Sequence, residues 1–525
     1  MRISAMIQIA NKEPATLKSI LASIDSPSEE DTSFITKAYA FAEEAHKEQK
    51  RYSGDPYITH LARTAEYLAK IGMGPAMIAA GLLHDSIEDA GVEPEAIEKE
   101  FGADVRSLVE GVTKLGSVRY RGMKRHTESL RKLFAATSQD VRVMIIKLMD
   151  RLHNARTLAH VPDEDKRRRI ALETIEIYAP IADRLGMGVV KRELEDAAFP
   201  HAYKKEYESV HKIFKDTGGE DMRKLEKFHN SVRKKIAEYG VEKFRTDNRI
   251  KGLYSLFRKL ERKGGDVSKI HDIWALRIIV PTISDCYTVL GIIHSEWKPM
   301  PGKIKDYIAF PKPNGYRSIH TTIHTGDGGI LEIQIRTEEM HREAQFGIAS
   351  HFSYKEVRGD IKHTKVGSGM SWIRQFIPSR LLHDTKKMEG GGETARTTYT
   401  GGSVPEWIKH VADIHESDNP DEFLNDVKTD FFSHRVFVFT PHGDVVDLPI
   451  DSCPIDFAYA IHSDIGNHMS GAKVNGKLVS LDTKLHNGDM VEIVTSAKGG
   501  PTRKWLEMAK TTLAKRHIKS TIQSP

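Results

Sequence analysis

The stretch AGLLHDSIEDAG, residues 80–91, follows an apolar flank with four ionisable side chains, His84, Asp85, Glu88 and Asp89, in six consecutive positions. In a helix, His84 stands above Glu88 and Asp85 above Asp89, so two polar rows run side by side on one face. Like charges crowded in this way repel. A divalent cation removes the cost, because it replaces repulsion between carboxylates by shared coordination and also binds neutral imidazole. A His-Asp pair alone is a weak signal, since a helical histidine is more often a satisfied core residue than a ligand. Two further candidate ligands lie in the same helical region: His60 in PYITHLARTAEYL and Asp150 in IKLMDRLHNARTL, with Asn154 one turn on and on the same face.

Outward from that stretch, apolar residues recur at helical spacing from Ser28 to Tyr203, as in VRVMIIKLMDRLHNARTL and ALETIEIYAPIADRLGM, and this half reads as all-α. Residues 204–247 are densely charged and helix-compatible, broken by Gly218-Gly219, and read as a solvated connector. The period then changes. IWALRIIV (273–280) is strand-like, SDCYTVLGIIHSEW is a helix candidate, and ILEIQIRT (330–337) alternates Leu331, Ile333 and Ile335 against Glu332, Gln334 and Arg336. Residues 380–403 are Gly/Thr-rich and read as a flexible insertion. Short strands then follow in HRVFVFTPHGDVVDLPI, AKVNGKLVSL and DMVEIVTS, with one helix at PIDFAYAIHS, before a basic C-terminal helix.

At 525 residues the chain exceeds one core, and a prior of about 150 residues per domain suggests three or four. Lys plus Arg (78) less Asp plus Glu (73) gives +5, too mild to argue for nucleic acid by itself. Two distant cysteines, Cys286 and Cys453, support neither a disulfide framework nor a Cys-based zinc site, and fit a reducing compartment. No run approaches the ~20 apolar residues of a membrane span, and the N-terminus carries no cleavage pattern, so a soluble cytoplasmic protein is expected.

A second constellation lies between Arg249 and His351. NRIKGLYSLFRKL sets Arg249, Lys251, Arg258 and Lys259 around aromatics, and GKIKDYIAFPKPNGYRSIHTT mixes basic, aromatic and turn residues. Polyphosphates need cations around them, purines need flat surfaces, and Mg²⁺ with a nucleotide takes one or two carboxylates. Asp272 and Glu332 are the carboxylates available on strand elements.

In the helical half, QKRYSGDPYITH, GLLHDSIEDAG, VTKLG, IKLMDRLHNARTL and YAPIADRLGMG resemble the HD phosphohydrolase superfamily, and more closely the hydrolase domain of the RelA/SpoT homologues, the enzymes of guanosine tetra- and pentaphosphate. The resemblance implies Mn²⁺ ligation by His60, His84, Asp85 and Asp150. It also implies activation of the attacking water by Glu88 and Asp89, and nucleotide contacts from Arg51 and Asn154. Mixed N/O ligands suit Mn²⁺, and an uncoordinated carboxylate can serve as general base. Tyr52 departs from the family, standing where many members carry a second basic residue.

DYIAFPKPNGYRSIHTT, EIQIRTEEMH and FGIASHFSYKE are similar to the RelA/SpoT synthetase domain, which has a nucleotidyltransferase-like fold and moves the β,γ-diphosphate of ATP to the 3′-hydroxyl of GDP or GTP. By position this implies Asp272 and Glu332 as Mg²⁺ and catalytic carboxylates, with Glu332 the base for the 3′-hydroxyl. Arg249 and Arg277 would contact ATP, and Lys251, Lys259, Lys305 and His320 would meet phosphates. Tyr316 would stack on the acceptor guanine, with Asn314 and Gln334 lining the site. Lys303 and Lys305 match the basic loop of bifunctional members, which implies some preference for GDP. Gly252, Arg317 and Gln345 replace a small hydroxyl residue, a Gln and a Glu.

The last segment resembles a TGS domain, a β-grasp module that in long family members meets the 3′ end of uncharged tRNA, making His462 the candidate contact. The expected fold is therefore multidomain α plus α/β. It comprises an HD-type hydrolase domain (28–203), a helical connector (204–247), a synthetase domain (248–356), a linker with the insertion (357–429), a TGS domain (430–496) and a basic helical tail (497–525). The expected function is bifunctional: (p)ppGpp synthesis from ATP and GDP or GTP, and (p)ppGpp hydrolysis to GDP or GTP and diphosphate, in the stringent response. In enzyme terms it is a GTP diphosphokinase and a guanosine-3′,5′-bis(diphosphate) 3′-diphosphatase. Because long relatives continue into further C-terminal regions, ribosome binding is not expected. Two alternatives stay open, a hydrolase with a weak or inactive synthetase half and a non-catalytic tRNA- or ribosome-binding stress sensor; the latter predicts loss of His84, Asp85 or Glu332, and none is lost.

Overall fold

The computed structural model describes residues 14–113, 140–265, 274–312, 314–326, 329–352, 435–496 and 499–523. Asp272, the expected linker and its 380–403 insertion lie outside the described residues. The chain divides into two compact units, one holding the described residues up to Phe352 and the other those from Arg435 onward.

After a one-turn helix at Leu17–Leu21, the helical half of the first unit has α1 (Glu29–Ala45), where Ser28 and Asp31 cap each other's backbone N–H groups at 3.1 and 3.0 Å. Helix α2 (Ile58–Lys70) is the centre of the bundle, for every residue from His60 to Ala69 is buried. Against it pack α3 (Pro75–Leu83) and α5 (Val141–Arg156), while the short α4 (Ser86–Ala90) lies against α1. Leu61, Leu68, Ile78, Leu82, Ile145 and Met149 fill the core between them.

The opening stretch is not one continuous helix. It breaks at His84 and Asp85, between α3 and α4, and ends at Gly91, whose φ of 66° closes α4 in the left-handed region. Of the two expected rows, the Asp85–Asp89 pair survives, because the Asp89 N–H still donates to the Asp85 carbonyl at 2.8 Å. The other does not: His84 is buried and Glu88 is exposed. The break lets the imidazole turn inward without burying a glutamate.

Two long helices follow, α6 (Gly188–Ala202) and α7 (Lys204–Glu238). Helix α7 runs straight through Gly218-Gly219, and its Val210, Leu225, Phe228, Val232 and Ile236 are core residues. The expected solvated, broken connector is thus one helix with a buried stripe, since burial outweighs the ~1 kcal/mol cost of each glycine.

The α/β part comprises β1 (Arg245–Ile250), α8 (Leu253–Arg262), β2 (Trp274–Val280), α9 (Ile283–Glu296), β3 (Lys305–Asp306), β4 (Ile319–His324), β5 (Ile330–Thr337) and α10 (Glu338–Phe346). The sheet order is β1-β2-β5-β4-β3, and β2 with β5 is its parallel pair. Leu276, Ile278, Ile323, Ile333 and Ile335 join the core shared with α7, α8 and α9. The alternation expected of β5 is present in direction, but Gln334 and Arg336 on its polar side are buried as well.

The second unit holds a ribbon of β6 (Arg435–Phe439) with β7 (Val445–Pro449), then α11 (Pro454–Ile461) and a sheet of order β10-β8-β9, with β8 Met469–Val474, β9 Lys477–Val479 and β10 Val491–Thr495. The expected basic tail is part of its core. Trp505, Ala509 and, on α12 (Thr512–Gln523), Ala514 and Ile518 pack with Cys453, Tyr459 and Met469, while the buried Asp456 carboxylate accepts from the N–H groups of Lys510 and Thr511 at 2.9 and 2.7 Å. Among the described residues no helix is long and apolar enough to cross a membrane.

Candidate functional site

Four side chains from three separate segments meet near the N-terminal end of α2. His60 comes from α2, His84 and Asp85 from the break before α4, and Asp150 from α5. His60 Nε2 lies 3.5 Å from Asp85 Oδ2 and 3.3 Å from Asp150 Oδ1, and His84 Nε2 lies 3.2 and 3.8 Å from the same two oxygens. Donor atoms of His60, His84 and Asp150 all fall within 4.8 Å of one another, and all three residues are buried. His84 Nδ1 is committed to the Gly81 carbonyl at 2.8 Å, which leaves Nε2 buried and, among the described residues, without a hydrogen-bond partner. An orphaned, inward-facing imidazole nitrogen between two carboxylates is what a cation site requires.

Around this cluster, Asn154 Nδ2 donates to Asp150 Oδ1 at 2.6 Å and its Oδ1 accepts from Arg51 at 2.8 Å, while Lys147 donates to Asp150 Oδ2 at 2.7 Å. Tyr57 gave no signal in the sequence, yet its hydroxyl reaches Asp85 Oδ2 at 2.9 Å and Asp89 Oδ2 at 3.0 Å. Beside the cluster opens a cleft of about 330 Å³, lined by Arg51, Tyr52, Lys147, Asp150, Asn154 and Lys166 among others. Tyr52 is 63% exposed there and its hydroxyl accepts from Lys166 at 3.0 Å.

The second constellation lies on one face of the five-stranded sheet. Directly paired residues project to the same side, and the register puts Asp247, Arg277, Gln334, His320 and Lys305 in one row across all five strands. The next rung carries Arg249, Ala275, Glu332 and Thr322. Glu332 accepts from Gln334 Nε2 at 2.7 Å and lies 3.8 Å from His320 Nδ1; the other ring nitrogen of His320 meets the Tyr316 hydroxyl at 2.7 Å.

This face is strongly cationic. Arg277, Arg336 and Arg249 lie close enough that burial, reinforced by the neighbouring arginines, pulls the Arg277 guanidinium down to about 8; burial takes Arg336 to about 10. Burial and the nearby Lys312 and Arg249 likewise hold His320 well below the usual histidine range. Arg277 and Arg336 both leave a buried Nε without a partner among the described residues. Arg336 was not among the expected site residues; its alternation with Glu332 and Gln334 was the available signal.

Other expected residues sit nearer the edge. Lys303 is exposed on the loop into β3 and Lys305 is exposed at the first position of that strand, while Lys251 precedes α8 and Lys259 lies on it. Asn314 uses its amide to donate to the Asp183 carbonyl at 3.0 Å. Arg317 pairs with Glu343 at 2.8 Å, and Gln345 is buried with its Oε1 unpartnered among the described residues. In the second unit His462 is exposed and caps a short helix, its Nδ1 accepting from the Asp464 N–H at 3.1 Å.

Residues 38–188 match the model of the HD domain, 248–359 that of the region found in RelA/SpoT proteins, and 436–495 that of the TGS domain. The chain is 44% identical to a guanosine-3′,5′-bis(diphosphate) 3′-pyrophosphohydrolase of Aquifex aeolicus, over 93% of this chain and 64% of that protein. It is 41% identical to a GTP pyrophosphokinase of Myxococcus xanthus (94% and 61%), and 40% identical to the bifunctional (p)ppGpp synthase/hydrolase RelA of Mycobacterium tuberculosis (93% and 62%). The chain belongs to the RelA/SpoT family.

It spans somewhat less than two thirds of the length of these relatives. Within this RelA/SpoT chain the imidazole and carboxylate donors fit a divalent cation. Burial opposes charge on His84, but Asp85 and Asp150 outweigh it and raise the imidazolium to about 10, so the pocket favours positive charge at that point. Asp85 and Asp150 themselves stay well below the usual carboxylate range: burial pushes them up, and His84, Lys147 and His60 more than offset it.

Proposed function

We propose that this chain is a bifunctional alarmone enzyme, hydrolysing (p)ppGpp to GDP or GTP and diphosphate at the imidazole–carboxylate cluster, and making (p)ppGpp from ATP and GDP or GTP on the sheet face. The observation that carries the reading is the presence in one chain of two chemically different polar sites, a mixed N/O cluster beside a basic cleft and a row of cations around Glu332.

At the hydrolytic site His60, His84, Asp85 and Asp150 hold Mn²⁺, for which mixed N/O ligands suit. A divalent cation there supplies Lewis acidity toward the phosphate and makes water more acidic. Arg51 and Asn154 bind and orient the nucleotide in the cleft. Asp89, held by Tyr57 on the exposed side of the cluster, accepts the proton of the attacking water, and Glu88 works beside it.

At the synthetic site Arg249, Arg277, Lys251, Lys259, Lys305 and His320 gather the phosphates of ATP and acceptor. The guanine stacks on Tyr316, with Asn314 and Gln334 beside it. Glu332 takes the proton of the 3′-hydroxyl as it attacks the β-phosphorus of ATP and AMP leaves. Together with Asp272 it holds Mg²⁺. Lys303 with Lys305 favours GDP. In the TGS unit the exposed His462 is the contact for the 3′ end of uncharged tRNA. Substrates of this kind put the enzyme's work in the cytoplasm.

The test is a paired assay on the purified chain, with ATP, GDP and Mg²⁺ in one reaction and ppGpp and Mn²⁺ in the other, products resolved by charge. The reading expects AMP and ppGpp from the first and GDP and diphosphate from the second. Absence of either product pair from folded protein would overturn the corresponding half.

A further inference from the structure

His60 has two ring nitrogens with different surroundings. Nε2 faces Asp85 and Asp150, while Nδ1 lies 2.6 Å from Nδ1 of His153, on α5. The two ring centroids are 4.9 Å apart and the planes differ by 23°. That spacing is close to the N···N distance plus the two ring radii. The imidazoles therefore lie side by side, nearly coplanar, and the contact is an in-plane hydrogen bond and not a face-to-face stack.

A neutral imidazole carries one N–H. For Nε2 of His60 to offer its lone pair to a cation, the proton must sit on Nδ1, and a buried Nδ1–H needs an acceptor. His84 meets the same requirement through the Gly81 carbonyl. For His60 the acceptor within reach is Nδ1 of His153, with the His153 proton on its own Nε2.

We propose that His153 is a positioning residue that fixes the tautomer and ring orientation of His60 for metal binding; this rests on the cation site proposed above. Ligating histidines generally pass their second N–H to a carboxylate, carbonyl or water. A neutral imidazole does the same without adding a third negative charge to a pocket that already holds Asp85 and Asp150. One helix, α5, thereby carries a ligand at Asp150, its companion Asn154 and the residue that orients the opposing ligand.

The test measures Mn²⁺ affinity of the full chain by calorimetry, for wild type, His153→Leu and His153→Asn, with melting curves as the folding control. Leucine fills space and accepts nothing, so affinity falls ~10- to 100-fold. The asparagine carbonyl sits near the place of Nδ1 and accepts the same hydrogen bond, so His153→Asn recovers most of that loss. A His153→Leu chain that binds Mn²⁺ like wild type overturns the proposal, as does a folded His153→Asn chain no better than His153→Leu. Should His153→Leu fail to fold, near-wild-type affinity in His153→Asn supports the hydrogen bond and a leucine-sized loss there overturns it. Wild-type protein that binds no Mn²⁺ overturns the cation site itself, a result distinct from these.

Discussion

At the scale of single residues, the Tyr57 hydroxyl is the clearest case of one group serving two. Its single proton is shared between Asp85 and Asp89, and its ring is fixed by stacking on His46 at 5.0 Å and by the edge of His60 at 5.6 Å. Burial and the two carboxylates push the phenol far above its ordinary pKa, so it stays a donor. Tyr57→Phe keeps the ring and deletes the bond. A hydrogen bond to a charged group is worth roughly 1.5–3 kcal/mol, so (p)ppGpp hydrolysis should fall ~10- to 100-fold in kcat while synthesis from ATP and GDP is unchanged. Equal hydrolysis rates in steady-state assays of the two proteins would reject the role. The separateness of the sites makes a companion prediction: Glu332→Gln should abolish synthesis alone and Asp85→Ala hydrolysis alone. Loss of both reactions in either folded variant would speak against two independent centres. The sequence singled out His84, Asp85 and Asp150 because histidine and aspartate are residue types that ligate cations, and the fold brings the three together. It did not single out Tyr57 or Arg336, since the place of a tyrosine beside two carboxylates, or of a strand arginine among other arginines, comes only from neighbours that folding brings.

At the scale of elements, Gly252 turns from a departure into a fit. Helix α8 begins after Gly252 with no side-chain cap of its own, and Asp196 on α6 supplies one, accepting from the Tyr254 N–H at 3.1 Å. A Cβ on Gly252 would lie 2.6 Å from Asp196 Oδ2. The cap that a small hydroxyl residue in place of Gly252 would supply is here provided by a carboxylate from another helix. Asp196→Ala should cost ~1 kcal/mol, the usual value of a lost cap, and raise KM for ATP by loosening Lys251 and Lys259. Gly252→Ser alone should also destabilise, by collision. Combined with Asp196→Ala it should recover stability, because the serine becomes the cap. Thermal melts of the two singles and the double decide this, and strictly additive losses would refute it. The sequence showed the helices but misplaced their ends. Gly218-Gly219 failed to break α7 because core contacts on both sides hold it, whereas the apolar run before His84 hid a break that no glycine or proline announces.

At the scale of the whole molecule, the sequence separated helical, α/β and β-rich regions because each changes hydrophobic period. It did not show that the basic C-terminal helix completes the last core, since Trp505, Ala514 and Ile518 are too sparse to declare a buried face. Nor did it show how closely the helical and α/β parts of the first unit are joined. The Ile348 N–H donates to the Leu185 carbonyl at 2.9 Å, Asn314 bonds Asp183, and Ser255 on α8 lies 3.5 Å from Glu195 on α6. Glu195 is buried at this junction. Desolvation raises its carboxyl to about 7, with Asp183 and Asp196 adding to the rise and Lys191 opposing it. A carboxyl whose folded pKa exceeds its unfolded value holds its proton more tightly in the native state. Its contribution is therefore fully present below the unfolded pKa near 4.5 and is lost as pH climbs through 7. Glu195→Gln keeps the shape and removes the titration. Its stability relative to wild type should thus rise between pH 4 and pH 8 by at most about 3 kcal/mol, because each tenfold gain in proton affinity on folding is worth about 1.4 kcal/mol. Melting temperatures of both proteins across that range supply the measurement. Parallel profiles would mean that Glu195 stays ionised in the native junction, and that the two halves of the first unit meet through a solvated surface, not a desolvated one.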